Sequence, residues 1–212
     1  MAKTILAYGD SNTHGTPPMT DRMVYARYGA DVRWPTLLGR SLQPDWQVIE
    51  AGLPGRTAAH DCPVMGTHRN GQVGLRIALE SHGPIDLLTI MLGTNDSKTF
   101  FGLSADGIAA GLASLLAIAQ SDEYQTRHGG FEILLICPPP VLEQGPISAD
   151  FFGANAKTVA LPEYCAKLAA ARGVHFLDAG KHIASSPVDG VHFDPAGHLA
   201  LAQAVAARIK NL

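Results

Sequence analysis

Residues 5–15 read ILAYGDSNTHG, an apolar run of four residues followed by a glycine and a cluster of small polar residues. An apolar run that stops at Gly9 is typical of a buried strand, and the polar residues after it are typical of a tight turn. Open α/β sheets bind their ligands at the carboxyl ends of the strands. The stretch therefore predicts a strand-to-turn junction that presents one serine, Ser11, at the reactive edge of a sheet.

The remainder of the chain alternates apolar runs with amphipathic stretches, which is the pattern of a parallel α/β sheet. The further predicted strands cover residues 46–50, 85–92, 133–137 and 174–177. The predicted helices cover residues 34–42, a stretch that follows Asn70-Gly71 and ends near 82–84, residues 104–120, residues 156–172, and the C-terminal residues after Asp194-Pro195. We expect one domain over residues 1–212, a flavodoxin-like three-layer α/β sandwich with five parallel strands.

Several helical details follow from residue type. The helix after Asn70 counts Val73, Ile77 and Leu79 among its apolar positions, and Ser104 is expected to cap the next helix. Pro162 lacks a backbone donor, so we expect it to kink the helix over 156–172 or to split off its first turn. The last helix is expected to pack on the sheet through apolar residues at helical spacing: Leu199, Ala202, Val205, Ala206, Ile209 and Leu212.

Composition excludes several classes of protein. Hydrophobic residues make up 46% and charged residues 17% of the chain, and no apolar run is long enough to cross a bilayer. A net charge of −3 with scattered lysines and arginines provides no field for nucleic acid. The start of the chain lacks a signal-peptide core, so we expect a cytoplasmic protein. The cysteines are expected to be reduced and packed: Cys62, Cys137 and Cys165.

No cofactor or metal is expected. The histidines outside the candidate site lack the spacing of metal ligands: His60, His68, His128 and His198. Residues 9–15 are rich in glycine and polar side chains but lack the lysine of a phosphate-binding loop. The expected partner is a small molecule.

A serine hydroxyl becomes a nucleophile only when a base takes its proton. The candidates for a base and its acid lie near the far end of the chain, where Asp189 and His192 stand three residues apart. Gly190 allows the sharp turn that would bring the Asp189 carboxylate to Nδ1 of His192 while Nε2 faces Ser11. Asp178, at the end of the last predicted strand, competes with Asp189 for the role of acid.

These residues resemble the SGNH, or GDSL-type, serine hydrolases. Four blocks match in order along nearly the whole chain: GDSN at 9–12, Gly52 within AGL at 51–53, GTND at 93–96, and Asp189-x-x-His192. Within that family, DVRW at 31–34 and IMLGTND at 90–96 resemble the small bacterial arylesterases and acyltransferases most closely. The resemblance implies that Ser11 is the nucleophile, His192 the base and Asp189 its orienter. It also implies that the N–H groups of Ser11 and Gly52 and the amide of Asn95 stabilise an oxyanion.

Taken separately, each of these residues has an ordinary structural reading: Ser11 and Asn95 as turn residues, Gly52 as part of a tight turn, His192 as a surface histidine near a helix. Their joint occurrence at predicted strand ends favours catalysis. Asp96 is expected to tie down its loop.

The substrate pocket is less sharply defined by sequence. His14 stands where close arylesterase relatives carry tryptophan, which would make the pocket more polar. We expect His14, Asn12 and Phe152 to contact substrate, and an apolar rim from Phe100, Phe101, Phe151 and Phe152, although such aromatic residues are as often core plugs or subunit contacts. Relatives form homo-oligomers, for which the loops at 16–33 and 138–153 are the expected surfaces.

The resulting hypothesis is a serine esterase that cleaves short-chain, acetyl-type esters of aryl alcohols or carbohydrates through an acyl-enzyme, with water or an alcohol as acyl acceptor. The alternatives are a thioesterase or lysophospholipase for longer acyl chains, and a non-catalytic binding module on the same fold. The intact set of Ser11, Asn95, Asp189 and His192 argues against the binding module.

Overall fold

A computed structural model describes residues 2–212 and shows a sheet of five parallel strands in the order β2-β1-β3-β4-β5. The strands are β1 (Lys3–Gly9), β2 (Trp46–Gly52), β3 (Leu87–Met91), β4 (Glu132–Cys137) and β5 (His175–Asp178). The predicted α/β fold with five parallel strands is confirmed.

Seven α-helices accompany the sheet: α1 (Ser11–His14), α2 (Trp34–Ser41), α3 (Gly71–Ser81), α4 (Ala105–Ala119), α5 (Asp122–His128), α6 (Ala154–Arg172) and α7 (Pro195–Ile209). Helices α2 and α7 share a core with one face of the sheet, and α3, α4, α5 and α6 share a core with the other. The sheet is therefore the middle of three layers. The short polar helix α5 was not predicted from the sequence.

Strand β1 shows why the central strands read as unbroken apolar runs. Leu6 and Tyr8 belong to one core, and Ile5 and Ala7 belong to the other. Successive side chains of a strand point to opposite faces, so a strand covered on both faces must be apolar throughout. The register pairs Gly9 with Gly52 and with Met91, which brings the carboxyl ends of β1, β2 and β3 to one edge.

In two helices the buried face includes only some of the apolar residues. Val73 and Ile77 of α3 are exposed at 48% and 60%, because the buried stripe of this helix runs through Leu75, Ala78 and Leu79. In α7, Leu199 is 48% exposed and Leu212 lies beyond the last helical residue. Periodicity identifies a helix, but the helix's angle to the sheet decides which apolar residues it buries.

The prediction for Pro162 was wrong in part, because α6 runs without interruption over Ala154–Arg172 with the proline inside it. Pro162 removes one hydrogen bond, and the long helix on either side supplies the remaining ones. Ser104 occupies the cap position of α4, but its side chain makes no capping hydrogen bond. Asp194 does cap α7, where its carboxylate accepts from the N–H of Gly197 at 2.7 Å.

The three cysteines are unpaired and buried. Within residues 2–212, no helix is both long and apolar enough to cross a membrane.

His198 is a fully buried side chain that the sequence did not single out. Its Nδ1 accepts from the N–H of Trp34 at 3.3 Å, and the rings of Tyr28 and Phe193 stand edge-on to it. Burial lowers the pKa of His198 to about 4, against the charge of Asp194, which raises it; the charges of His192 and Arg33 act in the same direction as burial. The native protein therefore holds this imidazole neutral.

This burial predicts a pH-dependent stability. A histidine whose native pKa is lowered contributes stability that is present above its unfolded pKa and is lost as the pH falls towards about 4. We expect the difference in unfolding free energy between the wild type and His198→Asn to shrink by on the order of 3 kcal/mol as the pH falls across this window. Urea titrations of both proteins at several pH values measure this difference in unfolding free energy. A difference that stays constant would show that His198 titrates normally.

Candidate active site

The candidate nucleophile lies in the turn directly after β1. Asp10 caps the single helical turn α1, and its carboxylate Oδ1 accepts from the N–H of Asn12 at 3.0 Å. Gly15 closes the turn in the left-handed region, where its N–H donates to the carbonyl of Ser11. Ser11 is thus held at the N-terminus of α1 and at the carboxyl end of a central strand.

Ser11, His192 and Asp189 form a continuous hydrogen-bonded chain. Nε2 of His192 lies 3.0 Å from Oγ of Ser11, and Nδ1 lies 2.6 Å from Oδ2 of Asp189. Because the Asp189 carboxylate accepts a hydrogen bond from Nδ1–H, the proton of the neutral ring stays on Nδ1 and Nε2 is left as an acceptor for the serine hydroxyl. This arrangement can move a proton from Ser11 to His192.

The Asp189 carboxylate is completely buried but has four donors. The backbone N–H groups of Val191 and His192 donate to Oδ1 at 3.0 and 2.9 Å, and that of Met19 donates to Oδ2 at 2.7 Å, beside the imidazole. Burial by itself raises the pKa of Asp189, but the hydrogen bond and charge of the His192 ring and the N–H groups of Met19 and His192 outweigh it and hold the pKa below its usual value. The group is therefore an anion that steadies the imidazole.

The alternative acid, Asp178, has a different role. Its carboxylate accepts from the N–H of Gly180 at 3.0 Å and so caps a short turn after β5. The structure therefore brings Asp189 and not Asp178 to His192.

Gly52 ends β2 in direct contact with the nucleophile turn. A Cβ atom on Gly52 would lie 2.2 Å from the backbone nitrogen of His14 and 2.6 Å from the carbonyl carbon of Thr13. No side chain fits in that space, and only glycine lets the two backbones approach so closely. The Gly52 backbone thus lies beside the turn that carries Ser11.

Asn95 begins a short 3₁₀ turn on the loop after β3 and is buried. Its Nδ2 donates to the carbonyl of Arg56 at 3.1 Å and to Oδ2 of Asp10 at 3.3 Å. Both neighbours are acceptors, so the amide orientation is fixed with nitrogen towards them. The bond to Asp10 is the longer of the two.

Asp10 is a buried acid with an unusual pKa. Burial raises the pKa of this carboxyl to about 6, against the N–H of Asn12 and the positive charges of His192 and Arg56, which lower it. Asp96 lies on the neighbouring loop, where its two carboxylate oxygens accept from the N–H of Ala58 at 2.9 and 3.0 Å. That contact ties the loop after β2 to the loop after β3.

The predicted substrate contacts separate into distinct environments. Asn12 is buried, and its Nδ2 donates to the carbonyl of Val191 at 3.2 Å. Its amide nitrogen therefore braces the nucleophile turn against the His192 loop. His14 is half-buried, and burial together with Arg27 and Arg33 lowers its pKa.

The four phenylalanines do not form one rim. Phe151 is a core residue that packs with Val191 and its neighbours, whereas Phe152 is 76% exposed and Phe100 is also exposed. Of the expected apolar rim, only Phe100 and Phe152 project substantially into solvent.

Sequence reasoning missed two residues that support the site. Met19 supplies an N–H to Asp189, and the Arg56 side chain donates to carbonyls at the ends of β1 and β2. No sequence signal identifies a backbone donor such as Met19. A loop arginine such as Arg56 reads like a solvated one until the packing is known. Among residues 2–212, no group of three or more His, Cys, Asp or Glu side chains is arranged to hold a metal ion.

At the edge of this parallel α/β sheet, a serine hydroxyl is hydrogen-bonded to an imidazole, and a buried carboxylate holds the imidazole. This is the arrangement of catalytic residues in serine hydrolases. Residues 7–200 match the GDSL-like Lipase/Acylhydrolase family. The chain belongs to this family and is an ester-hydrolysing enzyme of the SGNH type.

Solved structures agree over the whole chain. The aryl esterase of M. smegmatis is 36% identical with a TM-score of 0.92, and the match covers 100% of both chains. Est24, a carbohydrate acetylesterase from Sinorhizobium meliloti, is 30% identical with a TM-score of 0.91 over 99% of each chain. A carbohydrate acetylesterase family member from the same organism is 33% identical with a TM-score of 0.90 over 99% of this chain and 98% of that one. A search of curated proteins gave no match.

Proposed function

We propose that this enzyme is a serine esterase that cleaves short-chain, acetyl-type esters of aryl alcohols or carbohydrates through an acyl-enzyme on Ser11. The observation that carries the proposal is the 3.0 Å contact between Oγ of Ser11 and Nε2 of His192, continued by the 2.6 Å contact to Asp189. The names of the neighbours, an aryl esterase and carbohydrate acetylesterases, support the choice of substrate.

In the first half-reaction, Oγ of Ser11 forms a bond to the ester carbonyl carbon while its proton passes to Nε2 of His192. The carbonyl electron pair moves onto oxygen, and the charge of Asp189 stabilises the imidazolium. When the tetrahedral intermediate collapses, the bond to the alcohol oxygen breaks and His192 returns the proton to that oxygen. Water, or a second alcohol, then attacks the acyl-serine by the same steps.

The tetrahedral oxyanion takes hydrogen bonds from the N–H groups of Ser11 and Gly52 and from Nδ2 of Asn95. One N–H of Nδ2 stays with the carbonyl of Arg56. The other N–H points to Oδ2 of Asp10, which lies 3.3 Å from Nδ2, and this is the N–H that the oxyanion shares. The longer bond is the weaker, so little is lost when this proton turns to a developing charge.

Asn95→Ala tests this assignment. Loss of one oxyanion donor costs about 3 to 4 kcal/mol of transition-state stabilisation, and we expect kcat on p-nitrophenyl acetate to fall about 10²- to 10³-fold while remaining measurable. Asn211→Ala removes an amide that bonds only to a carbonyl at the end of α7 and serves as the control. Unchanged turnover in Asn95→Ala would remove Asn95 from the oxyanion hole.

The acyl-chain preference decides between this proposal and the long-chain alternative. A series of p-nitrophenyl esters from acetyl to decanoyl, measured beside a peracetylated sugar, gives kcat/KM for each class. We expect the acetyl ester to be the best of the series. A maximum at octanoyl or decanoyl would favour the thioesterase or lysophospholipase alternative.

Assembly of several copies would shape the entrance. The segment 16–33 exposes Met23 at 82% and Tyr25 at 91%, and Arg22 joins it to the 138–153 loop through a 2.6 Å ion pair with Asp150. Exposed apolar residues on adjoining loops favour contact between subunits, and we include a homo-oligomer in the proposal. Light scattering that finds only monomers at micromolar concentration would contradict the proposed homo-oligomer.

A further inference from the structure

Arg56 lies on the loop after β2, and its side chain is 8% exposed. Its Nη1 donates to two backbone carbonyls, those of Gly9 at 2.7 Å and Ala51 at 2.5 Å. The guanidinium also lies 4.1 Å from the centre of the Tyr8 ring, whose hydroxyl is held by the carbonyl of Gly71. Within residues 2–212, Arg56 forms no ion pair with a carboxylate.

The two carbonyls mark the ends of the strands that carry the proposed oxyanion donors. Gly9 is the last residue of β1, two positions before Ser11, and Ala51 directly precedes Gly52 in β2. Gly9 and Gly52 are the last paired residues of this parallel ladder. The guanidinium therefore bridges β1 and β2 at their carboxyl ends, where backbone pairing stops.

The third proposed donor is held by the same residue. The backbone carbonyl of Arg56 accepts from Nδ2 of Asn95 at 3.1 Å. The side chain of Arg56 thus braces the strand ends beside Ser11 and Gly52, while its carbonyl orients Asn95. No other residue described for the site contacts the surroundings of all three proposed oxyanion donors.

Burying a cation without an ion pair costs free energy, and carbonyl dipoles and an aromatic face repay only part of that cost. A hydrophobic side chain would fill this space at lower cost if packing were the only requirement. Both strand-end carbonyls are met by Nη1 alone, whose two N–H groups diverge at a fixed angle in the guanidinium plane, and this fixed geometry suits the alignment of two strand ends.

We propose that Arg56 is the positioning residue of the oxyanion hole, which it aligns through the carbonyls of Gly9 and Ala51 and through its own carbonyl. The inference rests on the proposed function, because it requires that Ser11, Gly52 and Asn95 meet an oxyanion. It predicts a defect in transition-state stabilisation and little change in the binding of the ground-state ester.

Arg56→Met and Arg56→Lys test the inference with p-nitrophenyl acetate. For Arg56→Met we expect kcat to fall about 10- to 100-fold, with KM within about twofold of the wild type. Arg56→Lys keeps the charge but loses the planar pair of N–H groups on Nη1 that meets both carbonyls, so we expect an intermediate kcat. Arg69→Met is the matched control, because within residues 2–212 the hydrogen bonding of the Arg69 side chain is confined to the carbonyl of Pro54. The kcat of this variant should stay within about twofold of the wild type.

Three readouts separate positioning from general loss of structure. Phenylboronic acid, which forms a tetrahedral adduct on the serine, should bind Arg56→Met more weakly by the same factor as the fall in kcat. Millimolar guanidinium should restore part of kcat in Arg56→Ala. Arg56→Met combined with Asn95→Ala should lose less than the product of the two single losses.

Circular dichroism and thermal unfolding establish whether the variants are folded. If Arg56→Met does not fold, the inference is tested with Arg56→Lys. A folded variant with unchanged kcat, or with a raised KM at unchanged kcat, overturns the inference. The inference and the proposed function fail differently. Full activity in Ser11→Ala would contradict the proposed function. An inactive Ser11→Ala together with a fully active Arg56→Met would contradict only the role of Arg56.

Discussion

Ser11→Ala is expected to lower kcat on p-nitrophenyl acetate by about 10⁴- to 10⁶-fold and to abolish the burst of nitrophenol. The loss is this large because the covalent route through the acyl-enzyme disappears and only binding and oxyanion stabilisation remain. Ser11 lies in a turn held by the Asp10 cap and by Gly15, contacts that alanine keeps. The variant should therefore unfold at nearly the wild-type temperature.

The residues that act with Ser11 give an internal check. His192→Ala should lose nearly as much activity, and the double variant should be no worse than either single one, because the hydroxyl and the imidazole act as a unit. Ser41→Ala, which removes a hydroxyl bonded only to the carbonyl of Leu38, should retain full activity. Substantial turnover in a folded Ser11→Ala protein would mean that another nucleophile performs the reaction.

Gly52→Ala is expected to reduce kcat by about 10³-fold or more and to destabilise the fold by several kcal/mol. The added methyl would lie 2.2 Å from the nitrogen of His14 and 2.7 Å from its Cα, and both are backbone atoms that cannot rotate away. Either the end of β2 or the nucleophile turn must move. Each movement would carry the Gly52 N–H away from the proposed position of the oxyanion.

The matched control is Gly107→Ala in α4, where the nearest atom to an added methyl lies at 3.5 Å. There alanine should preserve activity and raise stability by up to about 1 kcal/mol, because it is the better helix former. Urea titration and steady-state kinetics on both variants make the comparison. Wild-type stability and kcat in Gly52→Ala would show that the close approach of the two backbones is not required.

Local sequence patterns predicted the strands and most helices because a buried segment must be built from apolar residues. A central strand such as β3 must be apolar on both faces, so it reads as an unbroken run, and the glycines and polar residues after each strand mark its carboxyl end. The same patterns wrongly placed Leu199 among the residues that pack on the sheet, since an exposed apolar residue at helical spacing looks like a buried one. Pro162 was misread because one missing hydrogen bond does not stop a helix of 19 residues.

The sequence by itself determined the sheet, its longer helices and a short list of reactive residues, because hydrophobic periodicity, turn chemistry and motif spacing are properties of neighbouring residues. Only the tertiary structure decided that His192 meets Ser11, 181 positions away, and that Asp189 rather than Asp178 holds the His192 ring. It also decided that Asn12 braces two loops and that Arg56 is buried beside the site. These facts depend on strand order and register, which place distant segments at one edge, and no local pattern of residues encodes a distance between them.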